Sequence, residues 1–353
     1  MKKGIYKEAF LLCATFLGSV IGAGFASGKE LSLFFMPFDK WGIFALFLSS
    51  FLMAFYYYVV LKKVYVENIN NTFEYLVSIS NDFFAKIIYA FIYVFSFAIF
   101  CAMFSASGAL IKERYNLPFI YGTLLMAAIC YMVFYKNAYG ILKLNAILTP
   151  LMILGIIILG IYSIFCDKDV FNDFGIKLVK NSFVYASYNA INIIVVFCEM
   201  GHIIKSKKTA FLSGIFSFFG LFLISVILFV MLLMFKNEAM FFELPILEIS
   251  KNMKDFYVVI LIFAMITTAV SMGFGVLTVL QKVFNPNKQL PFLMCIMAVL
   301  FSQIGFSGMV SKVYSFFGYL GMGLFLVIFI DYIKTLKKRE KYKISKKNKE
   351  KLR

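Results

Sequence analysis

The chain has 353 residues, 62% of them apolar, 19% aromatic and only 15% charged, with a formal net charge of +17. Soluble domains carry about a quarter charged residues, so this composition excludes a soluble globular protein and predicts an all-α integral membrane protein. The basic excess gathers in the tail after Asp331, "DYIKTLKKREKYKISKKNKEKLR", and in short loops between apolar stretches, which fits cytoplasmic placement beside anionic lipid and argues against a nucleic-acid partner.

Apolar windows of about twenty residues, each able to cross a hydrocarbon core roughly 30 Å thick, predict about ten spans. They lie near 8–36, 41–61, 84–111, 118–135, 141–166, 178–204, 209–235, 256–281, 289–306 and 309–333. The first follows Lys2, Lys3 and Lys7 but is too long for a cleaved secretory signal, so it is expected to be retained. Inside it, "GSVIGAGFASGKE" packs together Gly18, Gly22, Gly24 and Gly28. Glycine weakens a helix interior. The spacing is compatible with close helix packing; it is equally the pattern of an unwound stretch whose freed amides and carbonyls must face a cavity, an ion or a ligand. The density of glycines, with Ser19 and Ser27 among them, favours the unwound reading.

Further along, "VENINNTFEYLVSISND" at 66–82 reads as an amphipathic inner linker. The sixth span, "NSFVYASYNAINIIVVFCEMGHIIK", sets Ser187, Tyr188, Asn189 and Asn192 near mid-membrane. These groups are either interhelical hydrogen-bonding sites or a second interruption matching the first, and a break is expected because this span opens the second half. Glu199 follows about two turns toward the cytoplasm, with His202 and Lys205 beyond it. An acid at the centre of a span costs about 2.5–3.5 kcal/mol on insertion scales, so Glu199 reads as a paired group at an inner vestibule, with a gate or proton relay behind that reading. The segment "NEAMFFELPILEISKNM" at 237–253 reads as an outer loop able to cap an entrance. In the eighth span, "FAMITTAVS" at 263–271 carries vicinal Thr267 and Thr268, which can bond to their own i−4 carbonyls or offer hydroxyls to an ion. Asp331 ends the last span and is expected to be solvated. Cys13, Cys101, Cys130, Cys166, Cys198 and Cys295 lack paired spacing, and His202 is the single histidine. Common zinc and two-metal clusters are therefore not expected, and the thiols read as buried small apolar groups.

With the amino terminus inside, the loops "KK" at 62, "KNAYGILK" at 136, "KSKK" at 205 and "KVFNPNK" at 282 fall on the cytoplasmic side with the tail, so both termini are expected in the cytoplasm. Five crossings is an odd number, so two homologous halves of five must run in opposite senses. The expected architecture is a 5+5 inverted repeat with helices 1 and 6 discontinuous: 8–166, then 178–334, then a basic cytoplasmic tail over 335–353.

"GSVIGAGFASGKE" resembles the first-helix signature of the amino acid, polyamine and organocation transporter superfamily, and more narrowly the YkvI-like membrane proteins. The stretch 263–271 is similar to the eighth-helix motif of sodium-coupled members of the leucine-transporter fold. The resemblance implies one sodium ion held by the carbonyls of Gly18, Ile21 and Ala264 with the hydroxyls of Thr267 and Thr268. A second sodium site of some relatives needs an asparagine where this chain has Phe25, so no more than one is expected. Relatives with a first-helix arginine gate have Gly28 here, which leaves Lys29 and Glu30 as nearby charges of unassigned partnership.

A helix resuming near Gly24 would point its amino-terminal dipole at the break, which suits a carboxylate. Ser19, Ala23, Gly24 and Phe25, with Tyr188, Asn189 and Asn192, are accordingly expected to bind a small amino-acid-like zwitterion, Phe25 or Phe97 closing over it. The expected function is secondary active transport across the cytoplasmic membrane, with no cofactor beyond the coupling sodium and no obvious catalytic constellation for an enzyme. A nutrient-sensing receptor subunit of the same fold and a proton-coupled permease stay open as alternatives.

Overall fold

The structure, a computed structural model, describes residues 2–135, 150–158, 176–198, 204–235, 242–250, 253–284 and 289–351. Among them there are helices and no strands. Helix α1, Lys2–Val20, ends where glycine was expected to end it, and the span resumes only as a single turn, α2, Ala23–Ala26. A second interruption follows at once. Gly28 takes the left-handed conformation (φ 78°), open to glycine without the steric cost other residues meet, and α3 covers Lys29–Phe34. A 3₁₀ stretch, Met36–Trp41, turns the chain into α4, Gly42–Glu67.

The next elements start and stop on recognisable caps. Helix α5, Thr72–Ile79, begins at Asn71, whose side chain accepts from the Glu74 amide, and α6, Asp82–Tyr115, begins at Asn81, which accepts from the Phe84 amide. Helices α4 and α6 both close on an asparagine in the left-handed region, Asn68 and Asn116. Helix α7 covers Phe119–Tyr135, α8 the residues 150–158, and α9 Ile176–Cys198. Helix α10, Lys207–Met234, starts on a Ser206 cap; the short α11, Pro245–Ile249, precedes α12, Lys254–Phe284, and α13, Leu290–Ser302. After the turn Phe306–Gly308, a π-helical stretch, Met309–Tyr314, leads into α14, Ser315–Lys351.

Among the described residues six helical stretches are long and apolar enough to cross a membrane, and Phe119–Phe134 and Leu290–Ser302 are shorter apolar helices. Helices fall where spans were expected wherever the described residues reach; of the fifth, 141–166, this means 150–158.

One expectation is overturned. The polar group Ser187–Asn192 does not break the sixth span, because α9 runs through it as one helix from 176 to 198. Two of the polar side chains are bonded without opening the backbone: Asn189 Nδ2 donates to the Tyr185 carbonyl one turn back, at 3.0 Å, and the Tyr188 hydroxyl reaches across to another helix, while Ser187 Oγ and Asn192 Oδ1 are buried without a hydrogen-bond partner.

In the packing, α4 lies along both α9 and α10, α1 along α10, α6 along α7 and α12, α7 also against α12, α13 against α6 and α7, and α14 along α9. Side chains tie these helices by bonding to carbonyls on their neighbours: Tyr57 to Leu12 at 3.0 Å, Ser182 to Ala45 at 3.1 Å and Ser105 to Ser302 at 2.9 Å. At one end two ion pairs close the bundle, Lys63 to Asp331 at 2.8 Å and Lys205 to Glu8 at 2.9 Å. Asp331 is thus paired with α4, where a solvated acid was expected. The five described cysteines, Cys13, Cys101, Cys130, Cys198 and Cys295, are buried thiols, as expected.

Candidate functional site

The interruption of the first span is made of backbone. In a continuing helix the Gly22 amide would donate to the Gly18 carbonyl; here it donates to Val20 at 3.0 Å, and Gly22 is extended (φ −95°, ψ −172°). Among the described residues no backbone amide bonds to the carbonyl of Gly18 or of Ile21. Two acceptors are therefore released inside the protein, where an unmet polar group costs free energy. Ser19 does not fill the gap, since its hydroxyl donates back to Phe16 at 2.8 Å.

Helix α12 lies against this opening. A Cβ placed on Gly22 would sit 3.3 Å from Thr268 Oγ1, so the Thr268 hydroxyl faces the break directly. Thr267 is buried, and its hydroxyl donates to the carbonyls of Phe263 at 2.8 Å and Ala264 at 3.1 Å. That is the self-bonded state open to a helical threonine; the hydroxyl lone pairs stay free to accept or coordinate.

The second interruption brings in a residue the sequence reading left unassigned. Turning at Gly28 folds α3 so that the Glu30 side chain lies over Gly24, close enough that any Cβ at Gly24 would run into the carboxylate. Glu30 is 5% exposed, and its Oε2 accepts from the Tyr188 hydroxyl of α9 at 2.7 Å. Among the described residues no lysine, arginine or histidine nitrogen lies within 4.0 Å of it. Its neighbour Lys29 donates instead to the Phe242 carbonyl at 2.7 Å. Aromatic rings gather around Tyr188, the donor to this carboxylate: its centroid is 5.3 Å from Tyr185, 5.3 Å from Tyr314 and 5.9 Å from Phe34, and Phe95 of α6 is 6.3 Å away. The ring that α6 supplies is Phe95; Phe97, expected to close over the site, packs on Phe100 and Phe301.

On the other side of α2 the segment 242–250 is pinned over the broken span. The Ile246 amide donates to the Ser27 carbonyl at 2.9 Å, Tyr257 donates to the Ala26 carbonyl, and Glu113 accepts from the amides of Glu243 at 2.7 Å and Leu244 at 3.1 Å. Glu243 in turn accepts from the Ser307 amide at 2.5 Å. This part of the expected outer loop lies as a cover, tied to α6, to the broken first span and to the turn before the π-helical stretch.

Of the residues singled out for a substrate, Gly24, Tyr188 and the break itself come together, with Ala23 and Phe25 fully buried in the one-turn α2. Asn189 bonds within its own helix. Asn192 is buried one turn beyond Tyr188 on the same face of α9, its Oδ1 without a hydrogen-bond partner. The dipole argument for a carboxylate at the break is weakened, because α2 has only four residues and one turn aligns few peptide dipoles. Glu199 and His202 lie outside the described residues. A separate cavity of about 360 Å³ between α6, α7 and α12, touching Leu110, Met126 and Met265, is almost wholly apolar and includes none of the break residues. Among the described residues no three histidine, cysteine, aspartate or glutamate side chains converge as a metal cluster.

The chain is similar over most of its length to two Bacillus subtilis (strain 168) proteins. It shares 24% identity over 325 residues with the uncharacterized protein YyaD, covering 89% of this chain and 94% of that one. With the uncharacterized membrane protein YkvI it shares 22% over 345 residues, covering 89% and 93%. The YkvI-like resemblance read from the first and eighth spans is therefore found along the chain. No family model matches. Among solved structures, a crystal structure of a variant of the Eremococcus coleocola manganese transporter superposes with a TM-score of 0.56, over 90% of this chain and 78% of that one, at 10% identity. The protein has the fold of that multi-pass membrane protein.

Proposed function

We propose that this chain, sharing its fold with a solved membrane transporter and homologous to YkvI, is a secondary transporter. It carries a small amino-acid-like solute across the cytoplasmic membrane by alternating access, with both termini in the cytoplasm and one sodium ion between α1 and α12 as coupling ion. The observation that carries the reading is the opened backbone at Ile21–Gly22 facing the Thr268 hydroxyl. Carbonyls of Gly18, Ile21 and Ala264 with the hydroxyls of Thr267 and Thr268 are neutral oxygens, the donor class that suits a hard monovalent cation. The solved neighbour's manganese is not carried over to this reading, which rests on the neutral oxygens named above.

The helix pairing supports an inverted 5+5 repeat. Matching α1, α4, α6 and α7 with α9, α10, α12 and α13, the contact of α4 with α9 becomes that of α10 with α1. The contacts α4–α10 and α6–α12 map onto themselves, and α7–α12 maps onto α13–α6; each of these pairs is in contact. Such exchange symmetry supports two structurally related halves, and an odd number of crossings in each half is what would set them in opposite senses. In this reading the broken span and α9, which sit where the halves meet, belong to the unit that rocks.

The test is uptake of labelled amino acids into vesicles holding the purified protein, under an imposed sodium gradient. Stimulation by sodium that the Thr267→Ala, Thr268→Ala double variant loses supports the coupling site. Stimulation that survives the double variant rejects that site, and absence of uptake for every amino acid under sodium or proton gradients rejects transport.

A further inference from the structure

A carboxylate held in the middle of a membrane protein without a cationic neighbour is costly, and Glu30 has no such neighbour among the described residues. Its one well-formed hydrogen bond comes from Tyr188, where a carboxylate offers about four acceptor positions. The Tyr185 hydroxyl, buried beside Glu30, makes no well-formed hydrogen bond, and Asn192 Oδ1, one turn beyond Tyr188 on α9, has no hydrogen-bond partner. The rings of Tyr185, Tyr188, Tyr314, Phe34 and Phe95 form the wall. A carboxylate set among aromatic rings is the chemistry that recognises an ammonium group, through charge, several N–H donors and cation–π attraction. Tyr314 closes the π-helical stretch Met309–Tyr314, a departure from α-geometry that aims its ring at Tyr188.

We infer that Glu30, packed among the rings of α3, α9 and the π-helical stretch, is the binding group for the ammonium of the transported solute. The inference rests on the transport reading for the word transported, and on the site's own geometry for the rest. The incoming ammonium takes the place of the Tyr188 hydroxyl as donor to Glu30, so Tyr188 is released when the site fills. Gly24 is required because only a residue without a Cβ lets the carboxylate lie over the break. Solutes lacking the ammonium leave Glu30 uncompensated and are rejected.

The experiment is thermal unfolding of the full-length purified protein with three pools: the twenty L-amino acids, the corresponding amino-acid amides, and the corresponding 2-hydroxy acids. Manganese chloride alone forms a fourth arm. The first two pools carry the α-ammonium; the third, made without the lysine and arginine analogues, replaces it by a hydroxyl. The expected result is stabilisation by the first two pools only. In Glu30→Gln the midpoint concentration for the responding pool rises at least about tenfold, the scale of losing a buried charge partner. Equal stabilisation by the hydroxy acids, a response to manganese alone, an unchanged midpoint in Glu30→Gln, or no response to the ammonium-bearing pools each overturns the inference. Should Glu30→Gln fail to fold, the pools on the unaltered protein still decide. An ammonium-selective shift without uptake in vesicles removes the transport reading and leaves this one; uptake that Glu30→Gln leaves intact does the reverse.

Discussion

Gly24 and Gly28 do different work six and two residues before Glu30. Gly28 supplies the left-handed turn, and a Cβ there would also press on Ile246 at 2.6 Å. Gly28→Ala is expected to destabilise the protein by about 1–3 kcal/mol through backbone strain and overpacking, read as a lowered unfolding temperature. Gly24 supplies no unusual backbone, only the absence of a side chain under the carboxylate. Gly24→Ala is therefore expected to displace Glu30, weakening solute stabilisation in the thermal assay more than ligand-free stability. The sequence singled out both glycines, but it left Glu30 unassigned. A signal was present: an acid in "SGKELSLFF", with apolar residues on the far side, inside a predicted span. Reading it as an unassigned charge near the gate missed that a second break would fold it inward.

At the scale of the helix, α9 shows how similar polar content gives opposite outcomes. The first span breaks because glycines release the backbone; α9 holds because Asn189 bonds to Tyr185 inside the helix and Tyr188 finds Glu30 outside it. Asn189→Ala is accordingly expected to cost no more than about 1 kcal/mol, the net worth of one hydrogen bond, measured by unfolding in detergent. Tyr188→Phe should cost about 1–3 kcal/mol in the ligand-free protein, because a buried carboxylate then loses its donor. The reverse ranking would mean that the helix, and not the carboxylate, depends on these groups. Polar spacing alone did not separate the two cases, since it records which groups are present and not which partners they find.

Across the molecule, the cover 242–250 joins α6, the broken first span and the turn before α14 through Glu113, Lys29 and Glu243. Replacing Glu113 by Gln weakens two bonds to backbone amides at once. Faster amide exchange is expected through 242–250, with little change in α4 or α10, measured by hydrogen exchange. Slow exchange in the variant would show that the cover is held by its apolar contacts alone. What the amino-acid sequence determined by itself was the membrane class, the positions of the helices where the described residues reach and a weak point within Gly18–Gly28, because hydropathy and glycine act through neighbours in the chain. What only the tertiary structure decided was the unbroken α9, the pairing of Asp331 with Lys63, and the burial of Glu30 among rings from three distant segments. Those depend on which groups meet across helices, and a buried charge takes its meaning from partners brought close by folding.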